Sequence, residues 1–212
     1  VTVASSPGTL ELSNDNAIVK ESEVKQNVIT DEGKLYQQAK GSVFKIESDC
    51  CTGSGFLVDK AGLILTNCHV ACDSMHLAVK IAESEKYPAE LVASDLIEDV
   101  AVVRISPDAV SALTPLELAK DSQTTPPVTV GERVVAIGSP LTAETLITSG
   151  IVGKVEVGAI LSDININHGN SGGPLFDMRG KVVGITTFGL PTPNGPGVSG
   201  IIRIHLAQAL LN

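Results

Sequence analysis

The feature that most constrains this sequence is a glycine-dense loop, Asn167 to Leu175, which carries one serine at its centre. An alternating Ile164 and Ile166 pattern leads into the loop. Its glycines permit backbone dihedrals that a Cβ atom excludes, so the N–H groups of Gly169 and Ser171 are able to converge on one point. Two convergent amides are the geometry of an oxyanion hole, and the loop therefore predicts a nucleophilic serine.

A serine nucleophile needs a base that takes its proton and a carboxylate that orients the base. His69 closes a strand-like run from Leu63, and Asp99 opens an apolar run that ends at Ile105. We predict that His69 is the general base, Asp99 its orienting carboxylate and Ser171 the nucleophile. The order His, Asp, Ser along the chain is the order found in chymotrypsin.

Short apolar runs separated by turns indicate an all-β chain. A first barrel is expected within residues 34–127, and a proline-containing linker from Ser106 to Thr129 closes this part of the chain. Its six predicted strands are Val43–Ile46, Phe56–Val58, Leu63–Leu65, Leu77–Ile81, Ala89–Val92 and Val100–Val103. The runs expected in a second barrel, within residues 128–212, are Val134–Ile137, Leu146–Thr148, Ile151–Val152, Val155–Val157, Pro174–Phe176, Val182–Thr187 and Val198–Ile204.

Six blocks of this sequence resemble the successive signatures of the HtrA/Deg serine proteases, a trypsin-like family. The blocks are Gly53–Phe56, Thr66–Val70, Asp99–Val102, Ala136–Pro140, Thr148–Val152 and Gly169–Pro174. A lone Gly-x-Ser-x-Gly is weak evidence, whereas six ordered blocks at the family's spacing are specific. The resemblance implies two six-stranded Greek-key barrels of the chymotrypsin-like type with a short C-terminal helix. The family commonly carries a PDZ module after the protease domain, and no part of this sequence is left for one. We therefore expect a protease domain without PDZ, either because this member lacks the module or because this chain omits it.

The two ends of the chain lack the strand pattern. Residues 1–33 are expected to form a partly disordered extension, or alternatively an oligomerisation arm as in the trimers of the resembled family. A short helix is predicted from Asp31, as its cap, to Lys40. A second short helix is predicted from His205 to Leu211.

Composition excludes some partners. The net charge of −9 argues against nucleic acid and anionic membrane surfaces. The chain lacks the roughly 18 consecutive apolar residues of a membrane-spanning helix, so no membrane insertion is expected. Because the chain begins with Val1 rather than Met, we expect either a processed chain, from which a targeting segment has been removed, or a truncated one.

Four cysteines cluster around the predicted base: Cys50, Cys51, Cys68 and Cys72. In the trypsin-like fold the strand of Gly53 runs beside the loop of the catalytic histidine, which implies a disulfide from Cys50 or Cys51 to Cys68 or Cys72. The spacing of Cys68 and Cys72 also fits a zinc site, although the adjacent pair does not form the usual second knuckle. The disulfide is favoured, and it predicts an oxidising compartment.

The resemblance also implies which residues contact a substrate. The expected oxyanion hole is formed by Gly169, Asn170 and Ser171. The expected substrate contacts are Asn165, Ile166, His168, Thr186, Thr187, Phe188, Gly189 and Gly197. Asn165 occupies the expected base of the specificity pocket and is neutral, so uncharged P1 side chains are predicted. Asp163, just upstream, is expected to order this loop.

Together these observations predict a serine endopeptidase that acts in protein quality control or processing and needs no metal or organic cofactor. Its expected partners are peptides or unfolded proteins, and its expected location is secreted, periplasmic or in an organelle lumen. The alternatives are a non-catalytic, chaperone-like peptide-binding protein with a collapsed oxyanion loop, and a structural scaffold.

Overall fold

The protein consists of two closed antiparallel β-barrels, each with six strands. A computed structural model describes residues 30–82, 84–139, 145–166, 169–192 and 195–211. In each barrel the first three strands are neighbours in chain order and are followed by the sixth, fifth and fourth strands. The predicted fold class, two chymotrypsin-like barrels with a short C-terminal helix, is therefore confirmed.

The first barrel has strands of 4 to 11 residues. Its strands are β1 (Val43–Glu47), β2 (Thr52–Leu57), β3 (Leu63–Thr66), β4 (Leu77–Ala82), β5 (Glu85–Asp95) and β6 (Val100–Arg104). The turn between β2 and β3 needs glycine at position 62, where φ is +85° and a Cβ atom would lie 2.3 Å from the Ile105 carbonyl oxygen.

The second barrel repeats this order with longer strands. Its strands are β7 (Arg133–Gly138), β8 (Leu146–Val155), β9 (Ala159–Ser162), β10 (Pro174–Asp177), β11 (Val182–Thr192) and β12 (Gly195–Arg203). The three short runs predicted from Leu146 to Val157 form one strand, β8, which ends at Val155. The sequence prediction missed β9, because four residues between two turns carry too little alternation to stand out.

Three short α-helices accompany the barrels in the described part of the chain: α1 (Asp31–Ala39), α2 (Cys68–Ala71) and α3 (Ile204–Gln208). The N-cap of α1 is Thr30, whose hydroxyl accepts a hydrogen bond from Gly33 N, so the predicted cap at Asp31 was wrong by one residue. The predicted extension 1–33 lies outside the described residues up to position 29, and its last three residues begin α1. None of the described helices is long and apolar enough to span a membrane.

The apolar core has three parts. One cluster fills the first barrel and another fills the second. The third lies where the barrels meet, with Phe56 and Leu65 of the first barrel packed with Phe176 and Ile185 of the second. Since the predicted catalytic residues come from both barrels, this shared cluster fixes the distance between them.

A buried ion pair fastens the interbarrel linker to the second barrel. Arg203, at the end of β12, is 1% exposed and donates to a carboxylate oxygen of Asp121 in the linker. The same guanidinium donates to the carbonyls of Glu156 and Val157 at 3.0 and 2.9 Å. The other Asp121 oxygen lies 3.1 Å from His205 Nδ1, so this carboxylate orders the start of α3 as well.

Replacing Asp121 tests the weight of this contact. We expect Asp121→Asn to lower the free energy of unfolding by about 3–5 kcal/mol, because it leaves the Arg203 charge buried without a counter-ion. Urea unfolding followed by circular dichroism measures this. Asp108→Asn, at an exposed aspartate, serves as the control and should change the unfolding free energy by less than about 0.5 kcal/mol. Equal effects of the two substitutions would contradict the assignment.

Candidate active site

The predicted base and its carboxylate are brought together by strand pairing. His69 lies in α2, directly after β3, and Asp99 directly precedes β6. Strands β3 and β6 pair antiparallel, with Thr66 opposite Ala101. His69 Nδ1 lies 2.7 Å from Asp99 Oδ2, and His69 N donates to Asp99 Oδ1 at 2.8 Å. Two contacts to one carboxylate fix both the backbone and the ring of His69.

The backbone of Asp99 is itself specially held. Its φ of +54° makes it the only described non-glycine residue with a positive φ, a conformation that aspartate tolerates better than most residues. Its carbonyl oxygen accepts hydrogen bonds from Cys68 N at 3.2 Å and from Asn67 Nδ2 at 2.9 Å. Asp95 shapes the preceding turn by accepting from the Ile97 and Glu98 amides at 2.9 and 3.1 Å. Sequence analysis missed the roles of Asn67 and Asp95.

The serine loop folds as a tight, internally bonded turn. Gly169 and Gly172 have φ values of +94° and +86°. Gly172 N donates to the Thr186 carbonyl at 2.7 Å, and the Thr186 hydroxyl donates to the Asn170 carbonyl at 2.6 Å. A Cβ atom at position 172 would lie 2.2 Å from the Ser54 carbonyl oxygen, so only glycine fits there.

Ser54 of β2 connects the two barrels at this loop. Its buried hydroxyl donates to the Gly169 carbonyl at 2.6 Å and accepts from Ser139 N at 2.7 Å. Ser54 N also donates to the Ser171 carbonyl at 2.7 Å. A residue of the first barrel therefore holds both ends of the Gly169–Ser171 segment. In the sequence Ser54 was only the middle residue of a Gly-x-Gly block, and its contacts between the barrels were not predicted.

The Ser171 hydroxyl is directed at the backbone of β11. Among the described residues it donates to the Thr187 carbonyl, at 3.2 Å, and not to His69. The Thr187 hydroxyl lies 3.5 Å from Asp99 Oδ2, so Thr187 touches both the carboxylate and the serine. The sequence assigned Thr187 to substrate contact alone and missed this link.

The amides of the predicted oxyanion hole are free of protein acceptors. Within the described residues, no protein acceptor receives a hydrogen bond from Gly169 N or Ser171 N. Asn170, which was included in the predicted hole, is 2% exposed. A Cβ atom built on Gly138 would lie 2.4 Å from the side-chain oxygen of Asn170. The Asn170 side chain therefore packs against β7.

The other predicted substrate contacts lie before Ser171 in the sequence or in strands β11 and β12. Asn165 is exposed and Ile166 is buried, while Gly197 is half-buried in β12. Phe188 and Gly189 belong to β11, where Gly189 pairs with Ser199. His168 lies outside the described residues.

Thr186 was predicted to contact the substrate, but its side chain is buried. It is 1% exposed, and its hydroxyl also contacts the Gly173 carbonyl at 3.1 Å. The Thr186 side chain therefore supports the serine loop from the protein interior. Asp163 does order its neighbourhood as predicted, because its Oδ1 accepts from Ile151 N at 2.6 Å.

The predicted disulfide was wrong in its connectivity. The bond joins Cys68 to Cys72, one helical turn apart on α2, with their Cα atoms 5.0 Å apart. Cys50 and Cys51 are free thiols in the turn between β1 and β2. Residues four apart on a helix share one face, so Cys68 and Cys72 pair with each other instead of with Cys50 or Cys51. Within the described residues, no group of three or more His, Cys, Asp or Glu side chains could hold a metal ion.

Comparison with known proteins gives one consistent result. The trypsin-like peptidase domain matches residues 53–185. The chain is 41% identical over 170 residues to a probable periplasmic DegP-like serine endoprotease of Hahella chejuensis, covering 76% of this chain and 35% of that protein. It is 38% identical over 156 residues to the serine protease HTRA1 of Xenopus laevis, covering 68% of this chain and 33% of that protein. The chain thus spans about a third of the length of these relatives.

A solved structure supports the same comparison. The crystal structure of the serine endoprotease from Yersinia pestis matches with a TM-score of 0.74 and 29% sequence identity. The match covers 86% of this chain and 65% of that chain. Sequence and three-dimensional comparisons therefore agree on one fold.

Removal of the Ser54 hydroxyl tests the connection between the barrels. We expect Ser54→Ala to lower the free energy of unfolding by about 1–3 kcal/mol, because the buried Ser139 N–H loses its acceptor. Ser111→Ala is the matched control, since the Ser111 hydroxyl is exposed. Urea unfolding of both variants measures the difference, and a Ser54→Ala effect no larger than the control would refute the role.

The free thiols provide a second test. Hydrogen bonds from the Cys51 thiol and the Ser48 hydroxyl hold the pKa of Cys50 below its usual value, whereas the contact with Cys50 and burial raise the pKa of Cys51. Because the thiolate is the reactive form, we expect iodoacetamide at neutral pH to modify Cys50 before Cys51. Peptide fragmentation over a time course resolves the two sites.

The Ser48→Ala variant is the control for this ordering, since it removes one hydrogen bond to Cys50. It should narrow the difference in rate between the two thiols. Faster modification of Cys51 in the parent protein would show that the hydrogen-bond assignment is wrong.

Proposed function

This chain belongs to the trypsin-like peptidase family and has HtrA and DegP serine proteases among its relatives, and from this premise we propose that it is a serine endopeptidase. In the proposed reaction His69 takes the proton of Ser171, and the serine oxygen attacks the substrate carbonyl. Asp99 holds the His69 ring and stabilises the imidazolium that forms. The amine leaves with the proton from His69, and water then hydrolyses the acyl-enzyme by the same steps.

The Gly169 and Ser171 amides are proposed to bind the oxyanion of the tetrahedral intermediate. Among the described residues both N–H groups lack a protein acceptor, so they are available to a developing negative charge. Ser54 fixes the carbonyls of the same two residues from the first barrel. A donor pair that is held in advance stabilises charge without reorganisation when the reaction occurs.

The observation that carries this proposal is the continuous set of contacts from base to nucleophile across the two barrels. His69 contacts Asp99 at 2.7 Å, Asp99 lies 3.5 Å from the Thr187 hydroxyl, and the Thr187 carbonyl receives the Ser171 hydroxyl at 3.2 Å. We propose that rotation about the Cα–Cβ bond of Ser171 moves its hydroxyl from the Thr187 carbonyl to His69 when a substrate binds. Long or displaced catalytic hydrogen bonds are common before substrate binds.

One observation favours a second candidate function. The Ser171 proton is engaged by Thr187, so the hydroxyl is not activated by His69 in this arrangement. A protein locked in this state would bind peptides without cleaving them, as a chaperone-like protein does. Both functions would bind a peptide at the same place on the protein, and they differ in whether Ser171 cleaves the bound peptide.

The substrate is proposed to be a peptide or an unfolded protein that adds a strand along residues 187–189 of β11. We propose a periplasmic, secreted or organelle-lumen location, supported by the periplasmic description of DegP-like relatives and by the Cys68–Cys72 disulfide. Assembly into trimers, as implied by the resemblance to HtrA/Deg proteases, remains a proposal.

Ser171→Ala tests the nucleophile. The variant should lose peptidase activity on an unfolded protein such as reduced casein by about 10⁴-fold or more, because members of a triad act as a unit. Its unfolding midpoint should stay near that of the parent protein. Ser111→Ala is the matched control and should retain activity. Casein cleavage by purified Ser171→Ala at the rate of the parent protein would exclude Ser171 as the nucleophile.

The P1 preference tests the proposed pocket. We propose that Asn165, which is neutral and exposed, lines the base of the P1 pocket. We therefore expect cleavage after uncharged aliphatic or small polar side chains, because a Lys or Arg buried there would lack a counter-ion. Cleavage of a peptide library followed by mass spectrometry gives the profile. Asn165→Ala should shift it towards purely aliphatic residues, and a dominant Lys or Arg at P1 would contradict the pocket assignment.

A further inference from the structure

A cleft between the two barrels is lined by lysines and, among the described residues, by no carboxylate. It has a volume of about 490 Å³ and lies between the end of α1, strands β1 and β4, and the second barrel. Its charged lining residues are Lys40, Lys45 and Lys80. The whole chain carries a net charge of −9, so this concentration of positive charge runs against its composition.

Strand register brings the lysines together on the outer face of the first barrel. Lys80 of β4 lies directly opposite Lys45 of β1 and directly opposite Lys86 of β5. Like charges directly opposite each other destabilise a sheet. Such a row of three lysines therefore needs compensating negative charge.

Glu47 offsets positive charge on two lysines of this row, Lys45 and Lys86. Its carboxylate contacts Lys45 at 3.0 Å and Lys86 at 2.8 Å. Hydrogen bonds from Lys86 and Lys45 lower the pKa of Glu47 to about 2, so it is ionised at neutral pH. Lys80, between them, has no carboxylate partner within the described residues.

Side chains that carry hydroxyl groups also line the cleft. Lys40 lies over the ring of Tyr36 at 5.6 Å and has no carboxylate partner in the described part of the chain. The Tyr36 hydroxyl contacts the Thr145 hydroxyl at 2.8 Å, and both residues line the cleft. Ser139 lines it from the second barrel. Among the described residues, two ammonium groups without a carboxylate partner and several hydroxyls share this cleft, which matches the requirements of a multivalent oxyanion.

We propose that this cleft binds a small oxyanion with at least two negative charges, of the carboxylate or phosphate class. Its volume suits a ligand of that size, since small-molecule sites have volumes of about 300–1,000 Å³. The site is separate from the proposed catalytic residues and touches their supporting structure at Ser139, whose N–H is held by Ser54. Binding would supply the negative charge that Lys80 lacks among the described residues.

Calorimetric titration with inorganic pyrophosphate and with citrate tests this site. We expect saturable binding at one site per chain, weakened by added salt because it is electrostatic. Lys80→Gln should weaken binding by about tenfold or more, the loss expected for one charge-assisted hydrogen bond. Preference for pyrophosphate would identify a phosphate ligand, and preference for citrate a carboxylate ligand.

Lys86→Gln is the matched control. It removes the same charge from the adjacent strand, at a side chain that contacts Glu47 and does not line the cleft. It should change the affinity by less than about threefold. Equal losses in Lys80→Gln and Lys86→Gln would show a general charge effect and overturn the site, as would the absence of saturable binding of both anions.

Unfolding without ligand separates binding from folding. Lys80→Gln should be at least as stable to urea as the parent protein, because it removes like-charge repulsion across two strand pairs. Pyrophosphate or citrate, whichever binds, should raise the unfolding midpoint of the parent and not that of the variant. Loss of stability in ligand-free Lys80→Gln would assign Lys80 a structural role and contradict the proposal. These readouts do not depend on peptidase activity.

Discussion

The hydroxyl of Ser54 is the contact on which the geometry of the site depends. It lies at the junction of the barrels, where it donates to the Gly169 carbonyl and accepts from Ser139 N. The apolar cluster around Phe56 and Phe176 sets the distance between the barrels. Apolar packing has no direction, whereas these two hydrogen bonds do. Together they determine where the serine loop stands relative to α2.

The other half of the site depends on a strained turn. Asp99 reaches His69 because its backbone adopts a positive φ and its carbonyl is held by Asn67 and Cys68. The Cys68–Cys72 disulfide closes the same short helix that carries His69. The local geometry of the proposed base, His69, is thus fixed by the backbone. Among the described residues the Ser171 hydroxyl contacts only the Thr187 carbonyl, and it is the group that has to rotate in the proposed reaction.

Fold class was predictable because most of the strands leave a trace of short apolar runs separated by turns, and because sequence blocks around His69, Asp99 and Ser171 resemble one family. Strand β9 and the extent of β8 were not predictable, since pairing with neighbouring strands decides both. The cysteine pairing depended on side-chain direction on α2, which spacing alone does not give. The interbarrel role of Ser54 and the second contact of Thr187 exist only in three dimensions. The lysine row likewise required the register of β1, β4 and β5.

Whether Ser171 can be activated by His69 is the central question for this protein. Treatment of the native protein with a fluorophosphonate, followed by peptide mapping, measures it directly, because the reagent needs both an activated serine and a formed oxyanion hole. The endopeptidase assignment predicts one covalent adduct per chain, on Ser171, and its loss in His69→Ala. A folded protein that remains unlabelled, or that is labelled elsewhere, would contradict the assignment and favour the peptide-binding function.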